Sequence, residues 1–165
     1  MSEPLQLALA RARAARLHWE EAYDAMVEGL RQGGAGAAAP RAGDPMPDFA
    51  LPDAEGRWVR SRDLFADGPL VLSFQRGGWC PYCSAEMEAW GRQSAALAAR
   101  GATLAVVTPE TGGRALRLVE RVGPSARLLV DVDHGVAMAL GLTVPLPDAI
   151  AERYRAGGLD LDRLT

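Results

Sequence analysis

The stretch Leu70–Met87, LVLSFQRGGWCPYCSAEM, constrains the fold more than any other part of the chain. Its apolar run, Leu70-Val71-Leu72-Ser73-Phe74, is short, with Gly68-Pro69 before it and Gly77-Gly78 behind. A run of that kind between turn residues reads as a buried central strand. From Cys80-Pro81-Tyr82-Cys83 onward a helical pattern takes over, with Cys83, Met87, Trp90 and Leu97 on roughly one face. Proline just after the first cysteine suits the opening turn of a helix, where the missing N–H is one of the unpaired donors anyway. The only two cysteines of the chain therefore stand at a strand-to-helix junction.

That position has chemical consequences. The first turn of a helix leaves N–H groups unpaired and carries the positive end of the helix dipole. A thiol placed there gains stability as thiolate, and its pKa falls by one or several units from about 8.5. Thiolate is the nucleophile towards disulfides and peroxides alike. Two sulfurs across one helical turn can also close a disulfide with little backbone movement. Two blander readings compete: a pair of inert buried cysteines, and half of a zinc site. A closed zinc site needs four ligands, yet there is no second C-x-x-C, and His18 and His134 are single and distant. Redox chemistry is the favoured reading, with no metal and no cofactor.

At 165 residues and 48% hydrophobic content, the chain suits one soluble domain with a sizeable core. A net charge of −3 argues against a nucleic-acid binder. All the basic side chains other than the two histidines are Arg, a bias to which no function attaches. No run of about 20 apolar residues is present to span a membrane. The N-terminus, MSEPLQLALARARAARLHW, is acidic at its start and carries Arg through its apolar part, which does not suit a secretory signal. A cytoplasmic, reducing compartment follows, where a C-x-x-C is more often catalytic than structural.

Residues 3–32 read as one long helix, with Trp19, Tyr23, Met26 and Leu30 at helical spacing and Gly33-Gly34 as its stop. His18 beside this stripe is expected on the surface. GGAGAAAP, residues 33–40, is a small-residue linker. Asp48–Pro52 and Arg57–Arg60 suggest a hairpin across Asp53–Gly56, and Ser61 an N-cap for a short turn of helix over 62–65. Residues 102–107 and 127–130 read as further strands, and 114–122 as the helix between them. Asp131 or Asp133 should cap a helix over 136–140, with His134 facing solvent, and a last helix runs from Pro145 through Tyr154. Strands alternating with helices predict parallel pairing and an α/β sandwich.

A buried strand followed by W-C-P-x-C opening a helix resembles the thioredoxin superfamily. AGDPMPDFALPDAEGRWVRSRDLF, then LVLSFQRGGWCPYCSAE, then RLLVDVDHGVAMALGL, resembles more narrowly the peroxiredoxin-like AhpC/TSA family, from about Ala42 to about Ile150. The implied fold is α/β and thioredoxin-like: a central mixed sheet flanked by helices, with an N-terminal helical extension. Its implied division is helix over 1–34, linker over 35–41 and peroxiredoxin domain over 42–165. The family's pattern F-x-P-x-x-x-T-x-x-C, set on Phe74, puts Arg76 at the Pro, Cys80 at the Thr and Cys83 on the peroxide-reducing cysteine. Glu86 matches a frequent acidic residue three positions on. Cys80 is equally the position a thioredoxin uses as nucleophile, so both sulfurs remain candidates.

What the resemblance implies is a thiol peroxidase acting on hydrogen peroxide or organic hydroperoxides. Cys83 would pass through a sulfenate, Cys80 would resolve it, and a thioredoxin- or glutathione-type reductant would restore both thiols. Arg76 would supply positive charge, and Trp79 and Tyr82 would wall the site or simply pack. The alternatives are a thiol–disulfide oxidoreductase with Cys80 as nucleophile, and a redox sensor or binding module. After Ile150 nothing reads as the further strands, the first of them bearing an active-site arginine, found in related proteins, so Arg153, Arg155 and Arg163 take no such role. Leu70–Phe74 would then be an exposed apolar sheet edge. Either the 165 residues are a truncated product, or the edge is covered by a partner subunit, giving a homo-oligomer, or by the N-terminal helix.

Overall fold

The computed structural model describes residues 4–15, 19–111, 113–123 and 126–164; His18 lies outside them. The apolar stretches around the cysteines become three parallel strands: β3 (Leu70–Phe74), β4 (Thr103–Thr108) and β5 (Ala126–Val130), in the order β3-β4-β5. Leu72 pairs with Ala105, and Val106 with Leu128. The crossovers are α4 (Pro81–Ala98) and α5 (Leu116–Val122), as parallel neighbours require.

Alternation along the strands divides the core in two. Leu104, Val106 and Leu128 point to one side, where they meet Met87 of α4 and Leu118 and Val122 of α5. Ala105, Val107 and Leu129 point to the other, onto Leu51 and Leu64. Burial on both faces is why these strands read as near-continuous apolar runs rather than alternating ones. Leu51 belongs to a hairpin, β1 (Ala50–Pro52) and β2 (Trp58–Arg60), paired with Leu51 opposite Val59. The Asp53 carboxylate holds its turn, accepting from the N–H groups of Glu55 and Arg57 and from Arg57 Nε. An antiparallel bridge from Asp53 to Leu129 brings the hairpin beside β5, which makes the arrangement mixed.

Ser61 begins α3 (Ser61–Leu64) without capping it. Its hydroxyl accepts instead from the Phe49 N–H at 3.2 Å, tying the hairpin's entry to its exit. Asp131 caps α6 (Gly135–Ala139) as expected, through the N–H groups of Val136 and Ala137. His134, in the left-handed conformation at φ 56° just before α6, is partly exposed. The last helix is α7 (Asp148–Ala156), followed by a 3₁₀ turn at Leu161–Arg163. Among the described residues no strand follows α7, and β3 is an edge strand.

The single helix expected over 3–32 is two: α1 (Leu5–Ala14) and α2 (Glu20–Gln32). They serve different surfaces, which one straight rod cannot do. α1 lies on α4, with Leu5, Ala8, Leu9 and Ala12 as its half-buried stripe. α2 turns its Trp19, Tyr23, Met26 and Leu30 stripe inward beside α7, where Trp19 meets Tyr154 edge-on at 4.9 Å. Arg13, near the end of α1, reaches Glu20 and Asp24 of α2 at 2.8 and 3.4 Å.

Candidate active site

The site begins where β3 ends. Gln75 N–H still pairs with Val107 O, and the chain then turns through Arg76-Gly77-Gly78-Trp79 into α4. Gly77 has φ 143°, and a Cβ there would sit 2.6 Å from Trp79 Nε1. The loop folds so tightly against the indole that a side chain at 77 would displace it. Buried Glu110, after β4, fixes the loop by accepting from Gly78 N–H at 2.8 Å.

Cys80 is the N-cap of α4. Its Sγ accepts from Cys83 N–H at 3.3 Å, the role a serine or aspartate oxygen plays elsewhere, and Arg76 Nη2 donates to the same sulfur at 3.0 Å. The guanidinium is itself held over Trp79 and Tyr82, 5.3 and 5.9 Å from their ring centres, within cation–π range. Trp79 and Tyr82 thus hold the arginine where it meets the sulfur. Cys83, one turn on, receives Arg76 N–H at 3.3 Å. Both cysteines are free thiols.

The two sulfurs are electrostatically unequal. A hydrogen bond from Cys83 is the largest influence on Cys80. Burial opposes it, and the Arg76 charge adds to it, leaving the Cys80 thiol lowered to about 6. Cys83 moves the other way: its hydrogen bond to Cys80, then burial, then the charge on Cys80 raise its pKa. The pair behaves as one acid, its first proton leaving easily and its second held.

They also differ in access. Cys80 is 0% exposed. Cys83 is 6% exposed and lines a pocket of about 540 Å³ with Arg76, Gln75 and Glu86. Behind Cys83 runs a polar chain that sequence reasoning missed: Gln75 Nε2 donates to Ser73 Oγ at 2.7 Å, and Ser73 Oγ donates to Glu86 Oε1 at 2.6 Å. Trp90 Nε1 also donates to Glu86, at 3.3 Å. The signal for Ser73 was its place inside an apolar strand; for Gln75 and Glu110 there was none.

Every residue singled out in the sequence, Cys80, Cys83, Arg76, Trp79 and Glu86, meets in this one neighbourhood. Arg153 and Arg155 fall on α7 and Arg163 in the 3₁₀ turn, none on a strand. Among the described residues no three His, Cys, Asp or Glu side chains gather as a metal site, and no helix is long and apolar enough to cross a membrane.

A strand-to-helix C-x-x-C on a parallel β3-β4-β5 sheet defines a thioredoxin-like fold. The AhpC/TSA family model matches residues 42–155, and the chain belongs to the AhpC/TSA family. The peroxidoxin BcpB from Mycobacterium tuberculosis is similar at 28% identity and a TM-score of 0.55, over 63% of this chain and 68% of that one. A yeast mitochondrial 1-Cys peroxiredoxin is similar at 17% identity and a TM-score of 0.53, over 60% of this chain and 49% of its own. The thioredoxin domain of a thiol-disulfide oxidoreductase from Bacteroides vulgatus aligns at 19% identity and a TM-score of 0.50, over 64% and 76%. No curated protein matches the chain. Helices α1 and α2 lie outside the family match.

Proposed function

We propose that the protein is a thiol peroxidase in which Cys83 meets the peroxide and Cys80 first accepts its proton and then resolves it. The observation that carries this reading is the division of labour between the sulfurs. Cys83 opens on the pocket, while Cys80 is sealed from solvent yet holds the negative charge. A small peroxide can enter such a pocket and meet the Cys83 sulfur.

In the reduced pair, Cys80 is thiolate and Cys83 thiol. As Cys83 passes its proton to Cys80, its sulfur attacks the terminal peroxide oxygen and the O–O bond breaks. Cys83 becomes a sulfenic acid, and the leaving alkoxide or hydroxide takes the proton from Cys80. The regenerated Cys80 thiolate attacks the Cys83 sulfur, expelling hydroxide that leaves as water once protonated by solvent, and a Cys80–Cys83 disulfide results. Two thiol equivalents from a thioredoxin- or glutathione-type donor, in a reducing cytoplasmic compartment, reverse it. Arg76 fixes Cys80 through its side chain and Cys83 through its N–H. Residues 1–34 are, in this proposal, an addition joined by 35–41 to a redox domain over 42–165.

A second reading, thiol–disulfide exchange with Cys80 as nucleophile, is favoured by the two donors on the Cys80 sulfur. The cysteine variants separate the two. With Cys80→Ser, peroxide should still convert Cys83 to one trapped sulfenate per chain without turnover, more slowly because the proton must pass to solvent, and Cys83→Ser should consume none. Loss of peroxide reaction in Cys80→Ser with rapid disulfide exchange in Cys83→Ser would establish the second reading instead.

A further inference from the structure

We infer that α1 forms the substrate-selecting wall of the pocket, with Leu5 and Leu9 favouring hydroperoxides that carry a hydrocarbon group over hydrogen peroxide. The inference rests on the peroxidase reading and assigns a role to a helix outside the family match. The pocket lies between α1, the end of β3 and α4. Leu5 and Leu9 form one wall, and Phe74 and Trp90 stand among the residues around Cys83. A volume of about 540 Å³ is far larger than two bonded oxygens need, a water molecule's share being about 30 Å³. It falls within the range of sites that bind organic ligands, about 300–1,000 Å³.

The polar end specifies the other half of the ligand. Gln75 is 3% exposed and lines the pocket, and its Oε1 is, among the described residues, the buried side-chain polar atom left without a partner. The network fixes which way its amide faces. Ser73 gives its hydrogen to the Glu86 carboxylate and so can only accept from Gln75 Nε2, which leaves Oε1 free. A buried acceptor of this kind calls for a donor. Gln75 and Cys83 line the same pocket, and the O–H of a hydroperoxide brought to that sulfur supplies such a donor. A carboxylate does not, and Glu86 in the same wall disfavours an anion there. The ligand class is therefore a neutral hydroperoxyl head on an apolar body.

The test is kcat/KM of the full chain for cumene hydroperoxide and for hydrogen peroxide, with a thiol reductant in excess. Burial of one methylene is worth about a factor of four, so two or three carbons against Leu5 and Leu9 suffice for tenfold. The expected ratio favours cumene hydroperoxide about tenfold or more, and Leu9→Ser lowers that ratio by about that factor. Leu9→Phe, which keeps the helix apolar but fills the pocket, lowers it too and serves if the serine variant folds poorly. Gln75→Leu should raise KM for both peroxides. A wild-type ratio near one, or Leu9 variants that leave the ratio unchanged, would overturn the assignment of α1. Absence of turnover with both peroxides would instead remove the peroxidase reading beneath it.

Discussion

The Cys80 sulfur collects two donors where its neighbour Cys83 has one, and Arg76 donates to both. Removing its guanidinium, as in Arg76→Met, takes away a charge-assisted donor at 3.0 Å. The first apparent pKa of the pair should then rise from about 6 by roughly one unit or more, followed by thiolate absorbance at 240 nm. The sign for stability follows from the same shift. A thiol whose pKa is depressed on folding contributes stability in full above its unfolded value, near 8.5, and loses it as pH falls through 6. Cys83, shifted upward, opposes folding only above that unfolded value. The urea midpoint of the reduced protein should therefore climb from pH 6 to about 8, and Cys80→Ser should flatten the climb. At this scale the two cysteines were legible from their spacing on one helix turn, and Arg76, Trp79 and Glu86 through the resemblance to the W-C-P-x-C and AhpC/TSA patterns. Glu110 was not, since its partner Gly78 lies 32 residues away in sequence and no local pattern announces a long-range acceptor, and Gln75 was not, since its bond to Ser73 depends on Glu86 of α4 taking the serine's hydrogen.

Between elements, the junction of α4 and α5 shows what strand and helix patterns leave out. A Cβ on Gly91 would stand 2.4 Å from Arg121 O, so α4 meets α5 nearly backbone to backbone. Gly→Ala inside a helix ordinarily stabilises it by about 1 kcal/mol. Here the methyl has nowhere to go, and Gly91→Ala should instead cost about 1–3 kcal/mol, the usual scale of overpacking, read as a lower urea midpoint. The strands and most helices were legible from short apolar runs between turn residues. The split of residues 3–32 into α1 and α2 was not, because a continuous helical stripe says nothing of which partner each half meets. Ser61 misled for a related reason: a good N-cap residue was taken by the N–H of Phe49, the residue before β1.

Across the whole molecule, an aromatic cluster joins the site to the N-terminal and C-terminal helices. Trp79 meets Tyr154 of α7 edge-on at 5.3 Å, and Tyr154 in turn meets Trp19 and hydrogen-bonds Tyr23. Tyr154 is 3% exposed, so Tyr154→Ala should cost about 3–5 kcal/mol by analogy with other large buried aromatics and release α2 from α7. Faster amide exchange across residues 20–32 would record the release. This long-range assembly places Trp79 as a reporter, packed on Tyr154 and under the Arg76 guanidinium that touches Cys80. The most direct measurement is stopped-flow tryptophan fluorescence of the fully reduced protein mixed with cumene hydroperoxide or hydrogen peroxide. A peroxide site built by the fold should give a second-order rate on the order of 10³-fold above a free thiolate, the scale that positioning and proton transfer supply. A rate no faster than a small thiol, beside rapid exchange with disulfides, would contradict the peroxidase and leave Cys80 as the nucleophile of a thiol–disulfide oxidoreductase.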